Sequence, residues 1–415
     1  MRHIPGRIYL MAILLLPLFS LFAQETEPLP KPKPRRFVLS GEYGLWVTRS
    51  MDSCRVHWIT EEKGAGFLEA VQDGKSIFRL QTPDSLAHQA RFPIPDPARP
   101  YTLVYGAQGN NGDRHRSTIY PKPLPEDRLW FYAEVDTVIT FGDLHGQYEN
   151  LVTLLRQHAI IDDSLRWQGG KAHLVLLGDI FDRGHDVIKT LWFIYRLERE
   201  AHLAGGRVHL VLGNHEIMVF LDDLRYVSGK EQLIARYHGT TYARMFDMHQ
   251  SVLGEWLAGK PGIIRINDGL FSHGGVSREL LDFTIPAFND SLRRYLFEPD
   301  FLSLIDEQAL KRPQKTGAYV RRLNFFFAEY SAFWFRGYVN TNDLRLALTE
   351  VLKRFQVDFQ VVAHTPVDYI RTFYGGEIIA VDLNRPATEM LMLLRGSDGG
   401  QQRYRYLIGG KEKPL

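Results

Sequence analysis

Carboxylate, imidazole and amide side chains recur in this chain inside short strings bordered by glycine. They are Gly142-Asp143-Leu144-His145-Gly146, Gly178-Asp179-Ile180-Phe181-Asp182-Arg183-Gly184, Gly213-Asn214-His215-Glu216 and Ser272-His273-Gly274-Gly275, and His364 follows in Val362-Ala363-His364-Thr365-Pro366. This mixture of donors suits divalent cations that accept oxygen and nitrogen. Asp143 and His145, two apart after a strand-like run, can turn toward one cation, and Asp179 has two oxygens with which to bridge a pair. Sorted by donor type, Asp143, His145 and Asp179 hold one ion, while Asp179, Asn214, His273 and His364 hold the other. Two-ion sites of this kind space their metals about 3.5–4 Å apart around a bridging hydroxide. The chemistry they support is hydrolysis of phosphate esters.

His215 lies beside a ligand but is expected to point away from it, as a general acid protonating the leaving oxygen must. Such an acid needs an orienting carboxylate, for which Asp182 is the candidate. Arg183, next to it, supplies a bidentate fork for phosphate oxygens that lysine could not reproduce. Arg336, in Trp334-Phe335-Arg336-Gly337, is a second candidate clamp, and the Asn214 amide is placed at the phosphate as well as at the metal. The glycines let the backbone pass close to metals and phosphate.

The elements needed to hold these strings are legible as apolar runs: Thr137 to Phe141, His173 to Leu177, Val208 to Leu212, Leu270 to Ser272 and Gln360 to Ala363. Each string falls just past the carboxyl end of such a run, where layered α/β sheets place their sites. Between them, Val187 to Leu203 carries apolar residues at spacings of three and four, the signature of a helix packed on one face. Ile217 to Leu270 is longer than the other crossovers and mostly helical in pattern from Leu233 to Leu257; it reads as an insertion walling the site.

Upstream the pattern differs. Residues 37–120 alternate in short runs (Tyr43 to Thr48, Arg55 to Thr60, Ser76 to Leu80, His88 to Phe92, Tyr101 to Tyr105) separated by turn clusters such as Glu62 to Gly66, the pattern of a small β-sandwich. Proline-rich stretches at 24–36 and 121–127 read as linkers. Arg2, His3 and Arg7 precede an apolar run from Ile8 to Phe22, too short for a typical membrane span, and a small residue follows. The expectation is a signal peptide over 1–23, cut after Ala23, and a periplasmic or secreted protein without stable membrane insertion. The catalytic domain is placed at 128–408, with a tail at 409–415.

The chain has 415 residues and a net charge of +2. That balance gives no pull toward nucleic acid. The single cysteine, Cys54, excludes an internal disulfide and any thiolate metal site.

The catalytic half resembles the calcineurin-like metallophosphoesterases, and within them the phosphoprotein-phosphatase branch with its Shewanella-like members. Gly-Asp-Leu-His-Gly, Gly-Asp-Ile-Phe-Asp-Arg-Gly, Gly-Asn-His-Glu and His-Gly-Gly carry the resemblance, and Asp182-Arg183 is its diagnostic pair. Leu224-Arg225-Tyr226-Val227-Ser228 and Trp334-Phe335-Arg336-Gly337 look like the Shewanella-like subgroup. The likeness implies a layered fold, a β-sandwich core flanked by helices, with two divalent ions: manganese, or iron with zinc. It also implies a phosphorylated protein or small phosphoester as substrate, with phosphotyrosine preferred.

The first module resembles, more loosely, the fibronectin-III-like domain of purple acid phosphatases, on Gly44 to Val47 and Val56 to Thr60. Purple acid phosphatases carry a metal-binding tyrosine where Asp182 stands and a histidine where Pro366 stands, so their charge-transfer chemistry is not expected. A nucleotide or dinucleoside-polyphosphate hydrolase shares the same strings and is the alternative activity. A binding protein with a vestigial catalytic half is the non-enzymatic one.

Overall fold

The computed structural model describes residues 37–109, 114–121, 130–298, 301, 304, 317–384, 386–396 and 400–415. Residues Val38–Leu415 form one compact unit. The expected signal peptide and both expected linkers lie almost entirely outside the described residues. Among the described residues, no helix is long and apolar enough to cross a membrane.

The N-terminal all-β region is present as β1 (Trp46–Arg49), β2 (Ser53–Gln72), β3 (Lys75–Pro93), β4 (Tyr101–Ala107) and β5 (Arg114–Ile119). β3 pairs with β2 along its length, while β1 and then β4 take the other edge, so all five strands hydrogen-bond as one antiparallel sheet. This all-β region is consistent with the small sandwich expected from the sequence. Asp73 and Gly74, both at positive φ, make the two-residue turn that joins β2 to β3. The expected turn at Glu62 to Gly66 is instead a bulged stretch inside β2, with register shifts at Ile59/Gly64 and Gly64/Gly66. An extra residue in one strand bends it and leaves the ladder intact on either side. The run from Tyr43 begins as a single-turn helix, Gly41–Gly44, and becomes strand only at Trp46.

The catalytic half stacks two six-stranded sheets. One runs β13 (Arg371–Phe373), β14 (Ile378–Ala380), β12 (Phe359–Val362), β11 (Gly269–Ser272), β10 (Ile263–Ile266), β6 (Phe131–Tyr132). The other runs β17 (Lys411–Pro414), β16 (Gln401–Leu407), β15 (Glu389–Arg395), β7 (Thr137–Phe141), β8 (His173–Leu176), β9 (Arg207–Leu210). Val138, Val175, Val211, Phe271, Val361, Ile379 and Leu391 meet between them in one buried cluster. Removing a ring such as Phe271 from that layer costs about 3–5 kcal/mol. The segment read as a tail is β17, paired with β16.

β7, β8 and β9 are parallel, as are β11, β12 and β14, so six strand ends face one rim of the sandwich. Helices α1 (Tyr148–Gln157) and α2 (Val187–Leu203) make the crossovers of the first group, and α2 has the predicted bounds. Past β9, the insertion is α3 (Asn214–Phe220), α4 (Gly229–Tyr237), a single-turn helix Ala243–Phe246 and α5 (Val252–Ala258). Its helical pattern is broken into these pieces, with Gly239 in a left-handed conformation between α4 and the turn.

The N-terminal sheet packs on the catalytic half through backbone as well as side chains. Arg49 N donates to Gln250 O at 2.8 Å, and Arg49 Nε to Glu255 Oε2 at 2.7 Å. Trp192 Nε1 donates to Leu45 O at 3.1 Å, and His238 Nε2 to Gly44 O at 2.9 Å.

Candidate active site

The rim of strand ends gathers the predicted residues into one buried group. Asp143 and His145 follow β7, Asp179 and Asp182 follow β8, Asn214 and His215 open α3 past β9, His273 follows β11 and His364 follows β12. The loops turn sharply to do this. His145, Asp179, Asp182, Arg183 and His364 all sit at positive φ, between 44° and 67°. Side chains other than glycine rarely take that conformation, and strain of this kind concentrates at functional sites. Two glycines are required by contact: a Cβ on Gly184 would lie 1.8 Å from His145 O, and one on Gly142 would lie 2.5 Å from Val381 O.

His145 Nδ1 donates to Phe181 O at 2.7 Å and His273 Nδ1 donates to Leu177 O at 2.5 Å. Those bonds fix the tautomer and leave each Nε2 lone pair facing inward. His273 Nε2 meets Asn214 Oδ1 at 2.9 Å and Asp179 Oδ1 at 3.4 Å. His364 Nε2 is buried without a partner. Donor atoms of Asp179, His273 and His364 lie within 4.8 Å of one another, and so do those of His145, Asp179 and His215. Asp143 Oδ2 is 3.7 Å and Asp179 Oδ2 3.8 Å from His145 Nε2.

Electrostatics tell the same story. Burial and the neighbouring carboxylates of Asp382 and Asp179 push Asp143 well above the usual carboxylate range. Burial opposes a charge on His273, but Asp179 outweighs it and lifts the imidazole to about 10; burial and the His273 charge drive His364 down to about 2. The charge that Asp179 favours on His273 lies among carboxylate, imidazole and amide acceptors, a setting that suits a cation. The His and Asp groups gathered here fit divalent metal ions.

His215 Nδ1 donates to Asp182 Oδ2 at 2.5 Å, and its Nε2 lies 3.7 Å from Asp179 Oδ2. Asp182 thus holds one ring nitrogen of His215, and the other is turned toward Asp179. Burial works against protonation of His215, but Asp179 and then Asp182 outweigh it and raise its pKa. Arg183 is exposed, and its Nη1 donates to His145 Nε2 at 2.8 Å. One lone pair cannot serve both a cation and a guanidinium, so a cation on His145 would leave Arg183 without that acceptor. Arg336 is half-buried and tied by Nη1 to His364 O at 2.6 Å. Its guanidinium is thus fixed at the edge of the acidic group. Tyr226 stands exposed, its ring centroid 5.5 Å from that of His215.

Two residues of the site carry no role in the sequence reading. Glu216 accepts four backbone N–H bonds, from Gly213 (2.6 Å), Asp179 (2.9 Å), Ile180 (2.8 Å) and Phe181 (3.4 Å). It fixes the loop after β8 to the start of α3. The signal was a glutamate three residues past the helix cap, the spacing of a capping box. Asp382 follows the apolar run Ile378 to Val381 at another strand end, and burial with Asp179 raises it to about 7. The rule that found the other aspartates applies to it equally.

The calcineurin-like phosphoesterase model matches residues 137–368, more than half of the chain. The chain belongs to the calcineurin-like phosphoesterases. It is similar to Shewanella-like protein phosphatase 2 of Arabidopsis thaliana, 40% identical over 99 residues, which are 24% of this chain and 25% of that one. It is similar also to Shewanella-like protein phosphatase 1 of Plasmodium berghei, 30% identical over 155 residues, 37% of this chain and 42% of that one. The chain thus spans less than half the length of these relatives. A cold-active protein-tyrosine phosphatase from a psychrophilic Shewanella species superimposes with a TM-score of 0.70 at 27% identity, over 89% of this chain and 98% of that one. Coverage that wide extends beyond the catalytic half into the N-terminal strands.

Proposed function

We propose that this chain is a two-cation phosphomonoesterase acting on phosphorylated proteins, with phosphotyrosine preferred, and that it is exported. The observation that carries the reading is the His215–Asp182 pair set beside two groups of inward lone pairs. Divalent ions held by Asp143, His145, Asp179, Asn214, His273 and His364 would supply Lewis-acid stabilisation of charge on the phosphoryl oxygens. Manganese, or iron with zinc, suits this nitrogen and oxygen donor set.

The protein's own part is to place the phosphate and deliver a proton. Arg183, freed from His145, and Arg336 offer planar forks for the non-bridging oxygens, and the Asn214 amide faces the same space. His215 carries its proton on Nε2 toward the leaving oxygen, while Asp182 keeps Nδ1 occupied and stabilises the imidazolium. Tyr226 gives the leaving group an aromatic wall beside that proton. This wall, and the likeness to a protein-tyrosine phosphatase, favour an aryl leaving group.

The test is phosphate release by residues 24–415 loaded with manganese, on phosphotyrosine and phosphoserine/threonine peptides, with Asp179→Asn as the blank. Preference for phosphotyrosine that falls in Tyr226→Ala supports the reading. No peptide activity, with cleavage of a dinucleoside polyphosphate, sinks it in favour of a nucleotide hydrolase. Export is tested by cell fractionation: the chain remaining full-length in the cytosol would end that part.

A further inference from the structure

Tyr43 leaves the N-terminal region in the turn Gly41–Gly44 and sits between two lysines of the catalytic half. Lys230 Nζ lies 3.6 Å and Lys189 Nζ 4.7 Å from its ring centroid, and Lys189 also donates to the Tyr43 hydroxyl at 3.0 Å. Lys189 lies 3.7 Å over the ring of Tyr148, which opens α1 just past His145. Lys230 is buried and donates to Asp186 Oδ1 at 2.7 Å. Val187 N donates to Glu231 Oε1 on α4 at 3.0 Å.

The segment tied down by these contacts begins at Arg183 and presses on the metal-binding string. Gly184 leaves no room for a Cβ against His145 O, and a Cβ on Gly146 would lie 2.9 Å from the Val187 side chain. Ammonium groups withdrawn from water need compensation. The Tyr43 ring contributes to both, beside the Asp186 carboxylate on Lys230 and the Glu149 carboxylate 3.6 Å from Lys189. Remove the ring, and Lys230 and Lys189 gain by turning to water, which loosens Asp186 and the turn that aims Arg183.

We infer that Tyr43 is a positioning residue, through which the N-terminal sheet holds the Arg183 loop against the metal-binding string and completes the phosphate site. The inference rests on the reading of Arg183 as a phosphate ligand.

The test uses residues 24–415 loaded with manganese and inorganic phosphate as the titrant, with KM and kcat measured on an aryl phosphate. Tyr43→Ala weakens phosphate binding and raises KM about tenfold. Its kcat stays within about threefold, and trypsin cuts faster after Arg183. Tyr43→Phe keeps both ring contacts and restores phosphate affinity. Unchanged phosphate affinity in Tyr43→Ala overturns the inference, as does a loss explained by the unfolded fraction alone. If Tyr43→Ala does not fold, Lys189→Met must weaken phosphate in the same direction, and failure to do so also overturns it. A wild-type chain that binds no phosphate removes the phosphatase reading instead. Trypsin sensitivity at Arg183 then decides the positioning role, and equal cleavage of wild type and Tyr43→Ala rejects it.

Discussion

Glu216→Gln tests whether the site is held by backbone anchoring as much as by its ligands. The carboxylate accepts four N–H bonds, three from the loop that carries Asp179 and one from Gly213. Each hydrogen bond to a charged acceptor contributes about 1.5–3 kcal/mol, and a buried donor left unmet costs about 1–3 kcal/mol. Glutamine keeps one acceptor oxygen. Its amide hydrogens then face two backbone N–H groups, either Asp179 and Gly213 or Ile180 and Phe181. Two lost bonds amount to about 3–6 kcal/mol. Relief of repulsion from Asp179, which with burial raises the Glu216 pKa, returns part of that. A net loss of about 3 kcal/mol follows, equivalent to a fall in Tm of about 3–4 °C for a chain this long.

Manganese affinity, read by calorimetry, should fall at least about tenfold, since partners that orient ligands typically control that much. A lower Tm with unchanged metal affinity would show that Glu216 supports the fold alone, and the reasoning about the loop would be wrong. Wild-type values for both would refute the hydrogen-bond argument outright.

His215→Asn should slow alkyl phosphates far more than aryl phosphates with good leaving groups, by a further factor of about 10²; equal losses on both would remove its role as acid. Gly184→Ala forces His145 O aside, so metal affinity and turnover should both collapse, and retention of either would mean the loop yields without cost. Stability should fall in acid through His238. Burial and then the neighbouring His57 lower its pKa to about 3, so the folded state keeps it neutral while the unfolded chain protonates near the ordinary histidine value of about 6.5. Its contribution is complete above about 6.5 and is lost as pH drops toward about 3, amounting to about 2 kcal/mol at pH 5. His238→Gln, which keeps a donor for Gly44 O, should lose less Tm than wild type between pH 7 and pH 5. A wild-type loss in that variant would place the acid sensitivity elsewhere.

The ligand strings were legible because each lies in a stretch whose chemistry and strand-end position are both local. Thr137 to Phe141 is rich in β-branched and aromatic residues, and it forms β7 with the bounds read from sequence. Parallel order then carries six strand ends to one rim without any further signal. What stayed hidden depends on partners distant in sequence. Glu62 to Gly66 carries turn residues, yet β3 pairs on either side of it and makes the stretch a bulge. Glu216 reads as an ordinary cap until the loop after β8 folds over it. Lys411–Pro414 has no apolar alternation at all, and it is a strand because β16 offers an open edge.

The left-handed backbone at His145, Asp179, Asp182, Arg183 and His364 has a consequence for descent. Each of these positions would relax if glycine replaced the side chain, although glycine also frees the unfolded chain and so recovers only part of the gain. In a duplicated copy released from its chemical task, drift to glycine or asparagine there would meet little resistance from folding. A paralogue with this sandwich intact but glycines at those five places would be a retired enzyme, recognisable before any assay.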